Sequence, residues 1–208
     1  MDRYIGKVLK LLDELGLTQN TIVVFTSDNG VSHLKQEVDY DFFESVGKLR
    51  GLKGSLYEGG IRVPLLVKWP EKIKGGSVSD KMSGFEDWLV TFHDLIEAKN
   101  SLPSNHDGQS LGPHLLGKPS DDRKFLYREF SGYGGQQAVW MGKWKGVRQD
   151  INRKKKASLK VELFGLSADE SESVDLASKH PDIVSKIEEI MLKEHVSSAE
   201  FPIRGIDP

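Results

Sequence analysis

The run TIVVFTSDNG, residues 21–30, ends an apolar stretch in a carboxylate, an amide and a glycine. Asp28 and Asn29 offer hard oxygen donors of the kind that calcium or magnesium takes. The same three residues also make an ordinary turn, and spacing alone leaves both readings open. A second candidate is LRGLKGSLYEGGIRVP, residues 49–64, where Lys53 stands between Gly51 and Gly54. A lysine on so permissive a backbone is a point-charge clamp for a sulfate or phosphate oxygen, and neighbouring N–H groups could add anion contacts. Arg50 and Arg62 are alternative cations, and Lys53 could equally be a solvated surface residue. His33, close behind the Asp-Asn pair, is a candidate proton donor to a leaving group, or a loop histidine without a task. Glu58 and Arg62 read as an ion pair that pins the Gly59-Gly60 turn. Asp39, Asp41 and Glu44 read as a solvated acidic face. His93, His106 and His114 are assigned no role.

The elements that must position these residues are legible from periodicity. Residues 2–15 form an amphipathic helix, with Ile5, Val8, Leu12 and Leu15 at helical spacing and Gly16 as its stop. Ile22 to Phe25 are apolar and do not alternate, which predicts a strand buried on both faces. At the carboxyl end of such a strand ligands gather, and Asp28 and Asn29 stand there. A long glycine-punctuated segment follows, of the kind that tends to be functional. Residues 65–69 supply a second strand, closed by Pro70. Ser83 to Glu86 fit a capping box for a helix that carries Phe85, Trp88, Leu89, Phe92, Leu95 and Ile96 on one side. Residues 100–122 are a connector rich in Ser, Pro, Gly and Asp. Beyond it, KFLYREF, QAVWMG, KWKGVRQ and LKVELFGL predict short antiparallel strands. A last helix starts at Pro181 and turns Ile183, Ile187 and Ile190 inward.

Composition narrows the function classes. The 208 residues are 38% hydrophobic and 29% charged with a formal net charge of -2, so bulk electrostatics favour neither nucleic acid nor an anionic membrane. The run Arg153-Lys154-Lys155-Lys156 reads as a solvated loop. The absence of cysteine excludes disulfides, thiolate metal sites and a cysteine nucleophile within these residues. No apolar stretch approaches the ~20 residues of a membrane span.

Taken in order, NTIVVFTSDNG, LRGLKGSLYEGGIRVPLLVKWP, DGQSL and MGKWK resemble the C-terminal half of a type I sulfatase of the arylsulfatase A kind, within the alkaline phosphatase superfamily. The resemblance covers nearly the whole chain. It implies an α/β class, with a partial alkaline-phosphatase-like α/β/α core in residues 1–122. A small α+β unit with an antiparallel sheet and a C-terminal helix would follow in residues 123–208. It implies hydrolysis of sulfate esters with Ca2+ and a formylglycine nucleophile, acting on a sulfated small molecule or glycan. By match to the motifs, Asp28 and Asn29 would be metal ligands and Lys53 would bind the substrate sulfate. His33 carries over less directly, as a catalytic or pocket-lining residue.

Other features depart from that pattern. The nucleophile of the family arises from C-x-P-x-R or S-x-P-x-R, and SLPSN at residues 101–105 lacks the arginine. The paired aspartates that complete the calcium site in the family are also missing. The resemblance therefore expects an N-terminal half as partner and an inactive isolated chain. Relatives of this kind are usually exported to periplasm, extracellular space or lysosome; the chain's own location is unknown. Trp140 stands where an arginine is frequent, and Gly165 where an aspartate is. A phosphatase or phosphodiesterase of the same superfold, or a catalytically dead module that binds sulfated glycans, are the other readings.

Overall fold

A computed structural model describes residues 1–34, 36, 39–153 and 158–207. Lys154, Lys155 and Lys156 of the basic run lie outside the described residues. In chain order the elements are α1 (Asp2–Glu14), β1 (Val23–Thr26), α2 (Glu58–Ile61), β2 (Leu65–Lys68), α3 (Asp87–Leu95) and α4 (Gly112–Leu115). They continue with β3 (Leu126–Phe130), β4 (Gln136–Met141), β5 (Trp144–Arg148), β6 (Glu162–Gly165) and α5 (Pro181–Glu194). Packing groups them into two compact units: Met1–Thr26 with Pro64–Arg123, and Ser27–Val63 with Lys124–Pro208. The segment that carries Asp28, His33 and Lys53 therefore packs with the C-terminal sheet, rather than with the strand that precedes it in sequence. No helix among the described residues is long and apolar enough to cross a membrane.

In the first unit β1 pairs with β2 antiparallel, Val23 opposite Lys68 and Thr26 opposite Leu65. The expectation of a strand buried on both faces does not hold: this sheet has two strands, and Phe25, Leu65 and Leu66 are exposed. Helix α1 forms where periodicity placed it and ends at Gly16 with φ +67°, a left-handed stop that glycine takes without strain. Its apolar stripe is uncovered, with Tyr4, Val8, Leu11 and Leu15 all exposed. Helix α3 turns Asp87, Thr91 and Leu95 inward, whereas Phe85, Leu89, Phe92 and Ile96 face solvent.

The expected capping box is absent, and α3 has no side-chain cap. Asp87 does related work instead. Its buried carboxylate accepts hydrogen bonds from the Gly84 N–H and the Gln109 N–H, each at 2.8 Å, and is paired with Arg123. One turn on, the Thr91 hydroxyl accepts from the Leu111 N–H at 2.9 Å. The DGQSL segment is thus fastened to α3 by side chains that satisfy its backbone.

The second unit is built on a four-stranded antiparallel sheet in the order β3-β4-β5-β6. Helix α5 lies on it, with Ile187 and Met191 packed into Val139, Val161 and Leu163. Ile183 and Ile190 flank that core, as their spacing predicts. The helix approaches β5 at Gly146, where a β-carbon would come within 2.6 Å of Ile187 Cγ2. Lys53 and its neighbours sit on the surface of this unit through contacts described next.

Candidate functional site

The Asp28-Asn29-Gly30 turn and the Lys53 loop are far apart in sequence and are joined through the main chain. The Gly30 N–H donates to the Gly60 carbonyl at 2.8 Å, and the Lys53 N–H donates to the Val31 carbonyl at 2.8 Å. Such an approach needs glycine on both sides. A β-carbon on Gly30 would fall 2.0 Å from the Gly59 carbonyl oxygen, and one on Gly60 would fall 2.2 Å from the Ser55 carbonyl oxygen. Backbone touches backbone here, so no neighbouring side chain can rotate away to make room. The Ser27 hydroxyl closes the turn by donating to the Asn29 carbonyl at 2.8 Å.

The side chains of Asp28, Asn29 and Lys53 make no hydrogen bond or ion pair among the described residues. Asp28 and Lys53 are exposed and Asn29 is half-buried. Two oxygen donors and one ammonium are thus carried on stitched backbone and left available. His33 is also exposed, and its ring meets Tyr133 edge-on at 6.0 Å between centroids. It has no acidic partner among the described residues.

The Lys53 loop is held from beneath by the C-terminal sheet. Gln136, the first residue of β4, is buried and grips the backbone on the far side of Lys53 twice. Its Nε2 donates to the Gly54 carbonyl at 2.8 Å, and its Oε1 accepts from the Leu56 N–H at 3.1 Å. Glu172 grips both ends of the loop. Its carbonyl accepts from Arg50 at 3.0 Å, and its carboxylate Oε2 accepts from the Glu58 N–H at 2.7 Å. The Arg50 guanidinium in turn lies over Tyr57, its Cζ 3.8 Å from the ring centroid.

Beneath this loop is a charge cluster. Lys145 Nζ is fully buried, 2.8 Å from Glu58 Oε1 and 2.7 Å from Glu172 Oε1. The Trp140 indole N–H donates to the same Glu58 oxygen at 2.8 Å, and Lys145 sits 4.5 Å from the Trp140 ring centroid. Burial pushes the Glu172 carboxyl above its ordinary range, while Lys145 pulls it the other way. The expected Glu58–Arg62 pair is present only at 3.9 Å; Arg62 is shared with Glu170, and the close partner of Glu58 is Lys145. Glu58 is therefore structural, as expected, but it is tied to β5 rather than to its own helix. Tryptophan at position 140 fits because its N–H supplies a donor to Glu58.

Gln136, Lys145 and Glu172 were not selected by sequence reasoning. Lys145 falls in the quoted MGKWK string and could have been marked as a lysine at an inward strand position. Gln136 and Glu172 give no local signal, because their partners lie 80 and 114 residues away.

The sulfatase family profile matches residues 1–98, and the profile of the N-sulphoglucosamine sulphohydrolase C-terminal region matches residues 50–197. The chain belongs to the sulfatase family, whose members hydrolyse sulfate esters, and it has the α/β fold of the alkaline-phosphatase-like class. It is 31% identical to an N-acetylgalactosamine-6-O-sulfatase of Bacteroides thetaiotaomicron over 92% of its length and 39% of that protein. It is 38% identical to the steryl-sulfatase of Mus musculus over 64% of its length and 22% of that protein. A solved sulfatase from the glycosaminoglycan metabolism of Bacteroides thetaiotaomicron superposes with a TM-score of 0.74 at 30% identity, covering 92% of this chain and 42% of that one. A further structure, solved in complex with its substrate D-glucosamine-2-N,6-O-disulfate, gives a TM-score of 0.72 at 25% identity over 92% of this chain and 37% of that one. The chain thus spans between about one fifth and two fifths of the length of these relatives.

Proposed function

We propose that this chain is the C-terminal portion of a calcium-dependent sulfatase acting on sulfated sugars, and that its share of the active site is Asp28, Asn29 and Lys53. The observation that supports the reading is the pair of main-chain hydrogen bonds, Gly30 to Gly60 and Lys53 to Val31. They bring the two loops together while leaving these three side chains unpartnered. Asp28 Oδ and Asn29 Oδ1 suit a hard cation, and they make up only part of the roughly 6 to 8 oxygens that calcium takes. Among the described residues no group of three or more His, Cys, Asp or Glu side chains gathers to hold a metal. In this reading the remaining ligands and the formylglycine belong to the part of the relatives that this chain does not span. Bound there, calcium would supply positive charge against the sulfate oxygens. Lys53 donates from its ammonium to a non-bridging sulfate oxygen and counters the charge that moves toward the leaving alkoxide. His33 stands at the rim beside Tyr133, where it lines the substrate pocket.

The isolated chain is expected to bind weakly and not to turn over. An NMR titration with a sulfated N-acetylhexosamine in the presence of calcium tests this. Saturable shifts should appear at Gly30, Val31 and Gly54 and be lost in Lys53→Ala. Shifts that survive in Lys53→Ala, or hydrolysis of an aryl sulfate by the isolated chain above that variant's level, would refute the assignment. Saturable binding by the complete protein without turnover would favour a sulfated-glycan-binding module instead.

A further inference from the structure

Next to Lys53 lies a group of aromatic side chains that the sulfate chemistry leaves unused. Tyr133 is at the centre of SGYGG, the loop between β3 and β4, with φ +51°, a left-handed conformation that bulky side chains rarely take. Gly134 and Gly135 follow at φ +98° and +76° and let the chain recover. The loop drives the Tyr133 ring onto Gly54, the residue after Lys53. A β-carbon on Gly54 would stand 2.5 Å from Tyr133 Cε2 and 2.6 Å from Cζ. Phe130 lies beside it with ring centroids 6.0 Å apart and planes tilted by 33°, and His33 meets it edge-on, also at 6.0 Å.

If the ring served only to cover Gly54, it would be buried. Tyr133 is instead 58% exposed, and Phe130 and His33 are exposed too. Neither the Tyr133 hydroxyl nor the His33 imidazole has a hydrogen-bond partner among the described residues. Strained backbone that holds an exposed side chain against a binding loop is a feature of ligand clamps.

We infer that Tyr133, with Phe130 and His33 at its edges, is a stacking subsite for the pyranose ring that carries the sulfate ester. The inference rests on Lys53 being the sulfate clamp. A pyranose presents a C–H face to an aromatic ring and hydroxyls at its margin. The platform answers with ring faces at its centre and a phenol and an imidazole at its margin. The ring meets the loop one residue from Lys53, so sulfate and sugar would be held by neighbouring positions of one rigid backbone.

The test compares a sulfated N-acetylhexosamine with inorganic sulfate by NMR titration of the chain. Variants are Tyr133→Gly, which suits the positive φ and removes the ring, and Tyr133→Phe, which keeps the ring. Melting curves verify that each is folded. Tyr133→Gly should weaken sulfated-sugar binding about tenfold, the order of one lost ring stack, and leave inorganic sulfate unchanged. Tyr133→Phe should stay within about threefold of the wild type, the loss of one exposed hydrogen bond. Equal weakening of both ligands would overturn the subsite and make Tyr133 a support for the Lys53 loop. Unchanged sugar binding in Tyr133→Gly would overturn it as well. If the wild-type chain binds neither ligand, Lys53 is not a sulfate clamp, and the subsite falls with that reading.

Discussion

Lys145→Met removes one ammonium from between two buried carboxylates and keeps much of the volume of the side chain. Removing one partner of a buried ion pair costs about 3–5 kcal/mol, because the other charge stays behind unpaired. Here Glu58 and Glu172 both lose the buried ammonium, at 2.8 and 2.7 Å, and Glu58 keeps only the longer contact to Arg62 at 3.9 Å. The Trp140 N–H and the Glu58 N–H remain as donors to the two carboxylates and soften the loss. We therefore expect about 4 kcal/mol at pH 8, a large share of the ~5–15 kcal/mol that stabilises a domain. The cost should depend on pH with a definite sign. Burial already raises Glu172 above its ordinary 4.5 despite Lys145. A raised carboxyl contributes stability that is fully present below 4.5 and lost as pH rises through the folded-state value. Without Lys145 that window extends upward. At pH 5 the variant can protonate Glu172 and recover about 2 kcal/mol, at most about 1.4 kcal/mol per proton and pH unit. Urea unfolding followed through the Trp140 indole N–H resonance reads this unit specifically. A loss below about 1 kcal/mol at both pH values, or a larger loss at pH 5 than at pH 8, would refute the reasoning.

Two further perturbations address other parts of the second unit. Gly30→Ala places a methyl group 2.0 Å from the Gly59 carbonyl oxygen, so the two loops must separate. Amide exchange at position 30 and at Lys53 should accelerate at least tenfold, matching the loss of about 1.4 kcal/mol or more; unchanged protection at both would contradict the backbone juncture. His195 is bonded to Glu129 at 2.7 Å and Asp207 at 3.0 Å. Burial alone would lower its pKa, but these carboxylates outweigh it and hold the pKa above 6.5. Its contribution is full below pH 6.5 and is lost as pH rises through the raised value. Melting temperature should therefore fall between pH 6 and 8 more in the wild type than in His195→Gln, and parallel slopes would exclude the effect.

Periodicity placed α1, the antiparallel strands and α5, because each has a run of apolar residues at one spacing and a clear stop. What it could not supply was cover. The stripe on α1 and the apolar side of α3 are correct as patterns, yet in this chain they face water. The strand expected at Ile22 to Phe25 forms as β1, but its burial on both faces fails in the same way: apolar content says what a strand could bury, not what is there to bury it. For the site, glycine spacing around Lys53 and the Asp28-Asn29-Gly30 turn were visible as local chemistry. Their juncture was not, because it runs through main-chain atoms whose identity no residue type records. Gln136 and Glu172 were invisible for a related reason. A buried amide or carboxylate is defined by partners, and theirs are in another part of the chain.

The grip of Glu172 and Gln136 on the Lys53 loop also bears on the order of events during synthesis. Arg50 and the carbonyl it binds are 122 residues apart, and Gly54 waits for an amide 82 residues downstream. Chains emerge N-terminus first, at about 5–20 residues per second. The segment with Lys53 therefore leaves the ribosome several seconds before the residues that give it shape. Until then it has no sheet to rest on, and a nascent chain cut short before Glu172 would carry every residue of the proposed pocket without its geometry.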